Sequence, residues 1–137
     1  MTNRIYVAGP LFNTHERLYL EQIAKALEDA GYDTFLPHRD AGLLDGTEKV
    51  DRVKLFQGDM NGLAQCNIVV ALLTGADQDS GTAAELGIAY ERGLPCFGIT
   101  DDMRWLNNMI WGICGEGKHL VRSIDDLLPL LSRALKD

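Results

Sequence analysis

The chain has 137 residues, 46% of them apolar and 24% charged, with a formal net charge of −7. That length suits one domain over residues 1–137, and the composition suits a folded, globular one. No Lys/Arg cluster balances the acidic excess, so nucleic acid and anionic membrane are excluded as partners, and no apolar run approaches the ~18 residues of a membrane-spanning helix.

Arg4 to Ala8 (RIYVA) predicts a first strand, stopped by Gly9-Pro10. From Thr14 to Ala30 a helical stripe of Leu18, Leu20, Ile23, Ala24, Ala26 and Leu27 follows, and Gly31 ends it as a C′ glycine. Asp33 to Leu36 reads as a second strand stopped by Pro37, and HRDAGLLDGTEK as a polar loop. Val50 to Leu63 predicts a helix with Val53, Phe56 and Met60 along its apolar side. Asn67 to Leu73 (NIVVALL) is nearly continuous in apolar residues, as a central parallel strand covered on both faces must be. A helix from about Thr82 to Arg92 is stopped by Gly93, and Pro95 to Ile99 forms the next strand. DDMRWLNNMIWGICGEG is a variable connection with room for a short helix. A last helix runs from about Ser123 to Leu135.

Cys66, Cys96 and Cys114 are odd in number, widely spaced and set in apolar runs, so they read as reduced packing residues. The opening MTNRIYVAGP lacks a signal peptide's apolar region. Together these features lead us to expect a cytoplasmic protein.

Strands alternating with helices predict an α/β fold: an open, mainly parallel twisted sheet, doubly wound in the flavodoxin/Rossmann manner, with helices on both faces. Ligands of such sheets sit outside the carboxyl ends of the strands, at the switch point. Those ends are Ala8-Gly9-Pro10, Leu36-Pro37-His38 and Leu73 to Asp79, so Glu85 faces the crevice.

Two readings of Glu85 compete. Thr82-Ala-Ala-Glu85 matches a capping box, which serves the helix alone. Against it, Asp79 lies on the same loop, Asp59 lies late in the preceding helix, and Tyr6 and Asp40 lie at or near the carboxyl ends of adjacent strands. Carboxylates crowded into one cleft suit glycosyl transfer, in which one attacks and another handles protons. GPLFNT is neither GxGxxG nor a Walker sequence, and Asp79 would repel a phosphate at a helix N-terminus. His15, His38 and His119 are scattered, without HxxxH or CxxC, so we expect no metal and no cofactor.

The segments IYVAGPLF (5–12), DMNGLAQCNIVVALL (59–73) and DSGTAAELGIAYERGLP (79–95) resemble the nucleoside 2-deoxyribosyltransferase family, in its order and spacing. WLNNMIWG (105–112) is a weaker match. The resemblance implies exchange of the base of a 2′-deoxyribonucleoside through a covalent glycosyl intermediate, with retention. It implies Glu85 as nucleophile and Tyr6 as the phenol that orients and tunes it. Asp59 and Asp79 match an acidic pair, Asp59 nearer the base and its protonation, Asp79 nearer the 5′-hydroxyl. Phe12 resembles an aromatic wall for the base, Asp40 falls in a loop contacting base or sugar, and Gly9, Ser80 and Gly81 fall among the substrate-binding positions. Asn107 and Met109 would reach in from a neighbouring chain, implying a homodimer or homohexamer with shared sites. The implied partners are nucleosides and free nucleobases.

Some features depart from the family. The chain ends in an amphipathic helix, LLPLLSRALKD, without the aromatic C-terminal tail of some relatives, and the Pro10-Leu11 turn and HRDAG loop differ. Two other functions stand beside the transferase. Deoxynucleoside 5′-monophosphate hydrolases are similar at the helical Glu but carry Ser where this chain has Asp79. A non-catalytic nucleotide sensor has no need of Tyr6, Asp59, Asp79 and Glu85 together.

Overall fold

A computed structural model describes residues 3–43, 51–75, 77–104 and 106–136. In chain order the elements are β1 (Arg4–Ala8), α1 (Thr14–Asp29), β2 (Asp33–Phe35), α2 (Pro37–Asp40), α3 (Arg52–Ala64), β3 (Ile68–Leu72), α4 (Ser80–Glu91), β4 (Cys96–Ile99), α5 (Asn108–Ile113), β5 (Leu120–Val121) and α6 (Ile124–Ala134). The five strands form one parallel sheet in the order β2-β1-β3-β4-β5. This is the α/β open sheet expected from the alternation, and its switch point lies between β1 and β3.

Side-chain parity divides the core into two layers. Ile5, Val7, Ile68, Val70, Phe97 and Ile99 face α1 and α6, meeting Leu20, Ile23, Leu27, Leu127 and Leu131. Tyr6, Ala8, Val69 and Ala71 face the other way, toward Leu63 of α3, Leu86 and Ala89 of α4, and Ile110 of α5. Helices on both faces explain why β1 and β3 read as unbroken apolar runs. Cys66, Cys96 and Cys114 are free and buried, as expected. Among the described residues no helix is long and apolar enough to cross a membrane.

Several expectations need correction. Pro37–Asp40 is a short helix rather than loop, begun by proline at its first turn; residues 44–49 of that stretch lie outside the described residues, as does Val50 at the expected start of the next helix. Val53 and Phe56 are not core: they are 64% and 65% exposed. Helix α3 meets the sheet only through its C-terminal half, at Gly62 and Leu63. Strand β5 was not foreseen, since two residues carry no period. The apolar segment 103–113 divides, with Ile110 buried and Leu106 and Ile113 packed beside it. Met109 and Trp111 remain 72% and 42% exposed, and Trp105 lies outside the described residues.

Candidate active site

Tyr6 is the third residue of β1, buried, with its ring stacked on Phe35 of β2 at a centroid distance of 5.4 Å. Behind Phe35 stands Gly62 of α3, where a Cβ would lie 2.4 Å from the ring. The glycine therefore sets how deeply Phe35, and with it Tyr6, can sit. From this position the phenol donates a hydrogen bond to Oε2 of Glu85 on α4. Burial pushes the Glu85 carboxyl up to about 7; the phenol's bond opposes this, and the charges of Asp59 and Asp79 reinforce it. Burial, followed by the Glu85 charge and hydrogen bond, pushes the Tyr6 phenol far above its ordinary value, so it stays a donor.

The capping-box reading of Glu85 fails on geometry. Helix α4 starts at Ser80 with Asp79 as its N-cap, so Thr82 already lies inside the first turn and Glu85 nearly a turn further on. Asp79 Oδ2 accepts from the Thr82 N–H at 2.9 Å and from its hydroxyl at 2.8 Å. Glu85 is thus free of capping duty. The motif of that kind lies on α1 instead. Asn13 Oδ1 accepts from the Glu16 N–H at 2.8 Å, and Glu16 Oε1 accepts from the Phe12 N–H at 3.0 Å.

A cavity of about 480 Å³ opens over this pair at the carboxyl end of the sheet. Glu85, Asp59, Asp79, Gly9, Gly81 and Phe12 all line it, so most of the expected site residues come together. Asp59 Oδ1 is buried without a hydrogen-bond partner among the described residues, and burial raises its carboxyl above the ordinary value. Such an orphan acceptor is costly unless it holds a proton or meets a ligand. Gly9 leaves no room for a side chain, since a Cβ there would lie 2.6 Å from Leu20 and 3.1 Å from Leu72. Phe12 stands at the lip, 79% exposed.

Four of the expected residues, Asp40, Ser80, Asn107 and Met109, do not line this chain's own cavity. Asp40 does not line the cavity. Its carboxylate accepts from the Leu36 N–H at 2.9 Å and from Arg39 at 2.9 Å, serving the turn of α2. Ser80 is exposed and is likewise not among the lining residues. Asn107 caps α5, its Oδ1 accepting from the Met109 N–H at 2.8 Å. Within one chain neither Asn107 nor Met109 reaches the Glu85 cavity. Met109 lies instead on a separate groove of about 630 Å³ with Tyr90, Trp111 and Cys96, the first residue of β4.

The sequence reading missed Arg17, Arg52, Leu55 and Phe56, which also line the Glu85 cavity. Phe56 carried a signal: it lies in a helix half too polar to face a sheet. For Arg17 the signal was its place in the first turn after Phe12, beside the carboxyl end of β1.

Residues 5–124 match the family model for nucleoside 2-deoxyribosyltransferase. No curated protein matches the chain. Similar solved structures include a conserved protein from Enterococcus faecalis V583, 27% identical with a TM-score of 0.79 over 98% of this chain and 99% of that one. A 2-deoxyribosyltransferase from Bacillus psychrosaccharolyticus is 24% identical with a TM-score of 0.73, over 90% of this chain and 89% of that one. A CMP N-glycosidase from Clostridium botulinum is 17% identical with a TM-score of 0.66, over 98% of this chain and all (100%) of that one. At these last two identities the likeness bears on the fold alone. A family match across most of the chain, on a parallel sheet with a Tyr-supported glutamate at its switch point, shows that this chain belongs to the nucleoside 2-deoxyribosyltransferase family.

Proposed function

We propose that this protein exchanges the base of 2′-deoxyribonucleosides by double displacement at Glu85. The observation that carries the proposal is the buried Tyr6–Glu85 hydrogen bond opening into a cavity that also holds the orphaned carboxyl of Asp59. In the first half-reaction a Glu85 carboxylate oxygen bonds to the anomeric carbon as the C–N bond breaks. The bonding pair leaves with the base, which takes a proton from Asp59. In the second, a new base returns a proton to Asp59, its nitrogen bonds to the anomeric carbon, and Glu85 departs. Two inversions give retention. The Glu85 charge also stabilises the oxocarbenium-like transition state between these events.

Asp79 favours nucleosides over 5′-monophosphates. Its carboxylate takes the Thr82 N–H at the start of α4, the kind of donor a phosphate seeks at a helix N-terminus. A phosphate there would meet a fixed negative charge as well. The alternative is N-glycosidic hydrolysis of a deoxynucleoside 5′-monophosphate on the same scaffold.

We further propose a homodimer or homohexamer in which Asn107 and Met109 of one chain complete the site of the next. Exposed Tyr90, Met109 and Trp111 beside one groove support such an interface. Three free, buried cysteines suit a reducing, cytoplasmic setting.

Incubating the protein with deoxyuridine and free adenine tests the central reading. Chromatography should show deoxyadenosine and uracil. Free deoxyribose without a new nucleoside would make it a hydrolase, and turnover of the 5′-monophosphate alone would identify the nucleotide enzyme.

A further inference from the structure

The cavity is acidic at one end only. Asp59, Asp79 and Glu85 line one part of it, while Phe12 and Arg17 share the lip at the start of α1. Arg17 is half-buried and, among the described residues, forms no ion pair with these carboxylates. The charges that act on Glu85 are those of Asp59 and Asp79, and the Asp59 carboxyl responds to burial alone. Arg17 is therefore not the counter-ion of the acidic end.

It is nonetheless held in place. Arg17 Nη1 donates to the Leu11 carbonyl at 2.8 Å, and the Phe12 N–H is fixed by Glu16, which Asn13 in turn caps. Local bonds thus hold the backbone that carries one cavity-lining group, and the side chain of another, before any ligand arrives. One is an exposed aromatic face; the other is a guanidinium with four of its five N–H donors beyond the Leu11 bond. Aromatic faces stack nucleobases, and a fixed guanidinium beside such a face lies at the edge of what is stacked.

We propose that Arg17 reads a carbonyl oxygen on the edge of the base stacked at Phe12, so that the site prefers oxo bases such as uracil or hypoxanthine over adenine. The inference rests on the base-exchange reading of the same cavity. When the C–N bond breaks, the electron pair left on the base nitrogen delocalises onto a conjugated ring carbonyl. A guanidinium donating to that oxygen strengthens its hold as the charge grows, while Asp59 supplies the proton. Adenine presents no carbonyl, and its amino group would face a donor.

The test compares wild type with Arg17→Gln and Arg17→Lys, each first checked for native thermal unfolding. Exchange is measured from deoxyuridine, deoxyinosine and deoxyadenosine, turnover of deoxyuridine 5′-monophosphate is followed alongside, and calorimetry follows binding of free uracil and adenine. Arg17→Gln should lose about 10- to 100-fold in kcat/KM for the two oxo donors and little for deoxyadenosine, the range expected for one charge-assisted contact. Arg17→Lys should recover part of that loss. Uracil should bind wild type more tightly than adenine, and Arg17→Gln should remove the difference. An equal loss on all three donors would overturn the proposal in favour of a role in shaping the Leu11–Phe12 turn. A loss confined to deoxyuridine 5′-monophosphate would overturn it in favour of a phosphate site. If wild type exchanges no base, the function reading fails, while the uracil–adenine difference still decides the role of Arg17. If exchange proceeds but Arg17→Gln leaves both profiles unchanged, only the Arg17 inference fails.

Discussion

A carboxylate that attacks carbon must be ionised, and the position that shields it from water resists ionisation. Glu85 has an ordinary value of 4.5 and is raised to about 7 in the fold. Between those values the folded protein binds more protons than the unfolded chain, so stability falls as pH rises through this window. The full cost of the charge, on the order of 3 kcal/mol, is reached above pH 7. Glu85→Gln removes the charge and keeps the shape. Its activity should drop by roughly three orders of magnitude or more. Its melting temperature at pH 8 should exceed that of wild type, with the gap closing below pH 4.5, where Glu85 is neutral in both states. An active Glu85→Gln enzyme would end the nucleophile assignment. Tyr6 works in the opposite sense, because its hydrogen bond favours the carboxylate. Tyr6→Phe should therefore raise the Glu85 value further. The rising limb of kcat/KM against pH should move upward, and an unmoved limb would show that the phenol does not tune Glu85. That Tyr6 and Glu85 meet was legible in the sequence from the nearness of one to a strand's carboxyl end and the helix-start position of the other. The capping question was not legible. A Thr-x-x-Glu pattern looks the same whether its Thr is the N-cap or lies three residues inside, and only the Asp79 bonds distinguish them.

Helix α4 owes its start to Asp79, and the same carboxylate faces the cavity, so a substitution there acts on element and ligand together. Serine also caps helices well, whereas alanine at an N-cap costs about 1 kcal/mol. Asp79→Ser should consequently keep nearly native stability. It should lower nucleoside turnover and improve inhibition by deoxynucleoside 5′-monophosphates, because an anion is replaced by a hydroxyl donor. Unchanged monophosphate inhibition would remove Asp79 from the ligand side of the argument. Helix α3 holds a second such coupling. Gly62→Ala gains helix propensity, yet the new methyl collides with Phe35, which is stacked on Tyr6. Overpacking of this kind costs about 1–3 kcal/mol. We expect a lower melting temperature and a fall in kcat, both relieved when Phe35→Leu is added. The sequence showed that α3 exists but not which face it buries. Its apolar residues Val53 and Phe56 fit the helical period, and the period alone does not tell a stripe that covers a sheet from one that leaves Val53 in solvent and Phe56 beside a cavity.

On the scale of the whole molecule, β1, β3 and β4 were legible from apolar runs in strands buried by the fold, and the edge strand β2 from the Pro37 that stops it. The two-residue β5 was lost because its pairing with β4 comes from tertiary contact and not from its own sequence. The same limit applies to assembly. Seven large apolar residues between 103 and 113 could turn inward or outward, and the fold divides them: Ile110 enters the core, whereas Met109 and Trp111 stay at the surface beside Tyr90. Side chains of this size flanking one groove are the composition of an interface core. The proposed shared site can be tested by complementation. Asn107→Ser retains a capping oxygen for α5 but is too short to reach a neighbouring cavity, which spares the helix that an alanine would weaken. Chains carrying Glu85→Ala and chains carrying Asn107→Ser should each be nearly inactive alone. Mixed after unfolding and refolding together, half of two-fold dimers would be hybrid, each with one site free of both lesions, so activity should return to about a quarter of wild type. Light scattering should report the oligomer in every sample. A fully active monomer, or mixtures no more active than their components, would show that each chain works with its own cavity alone.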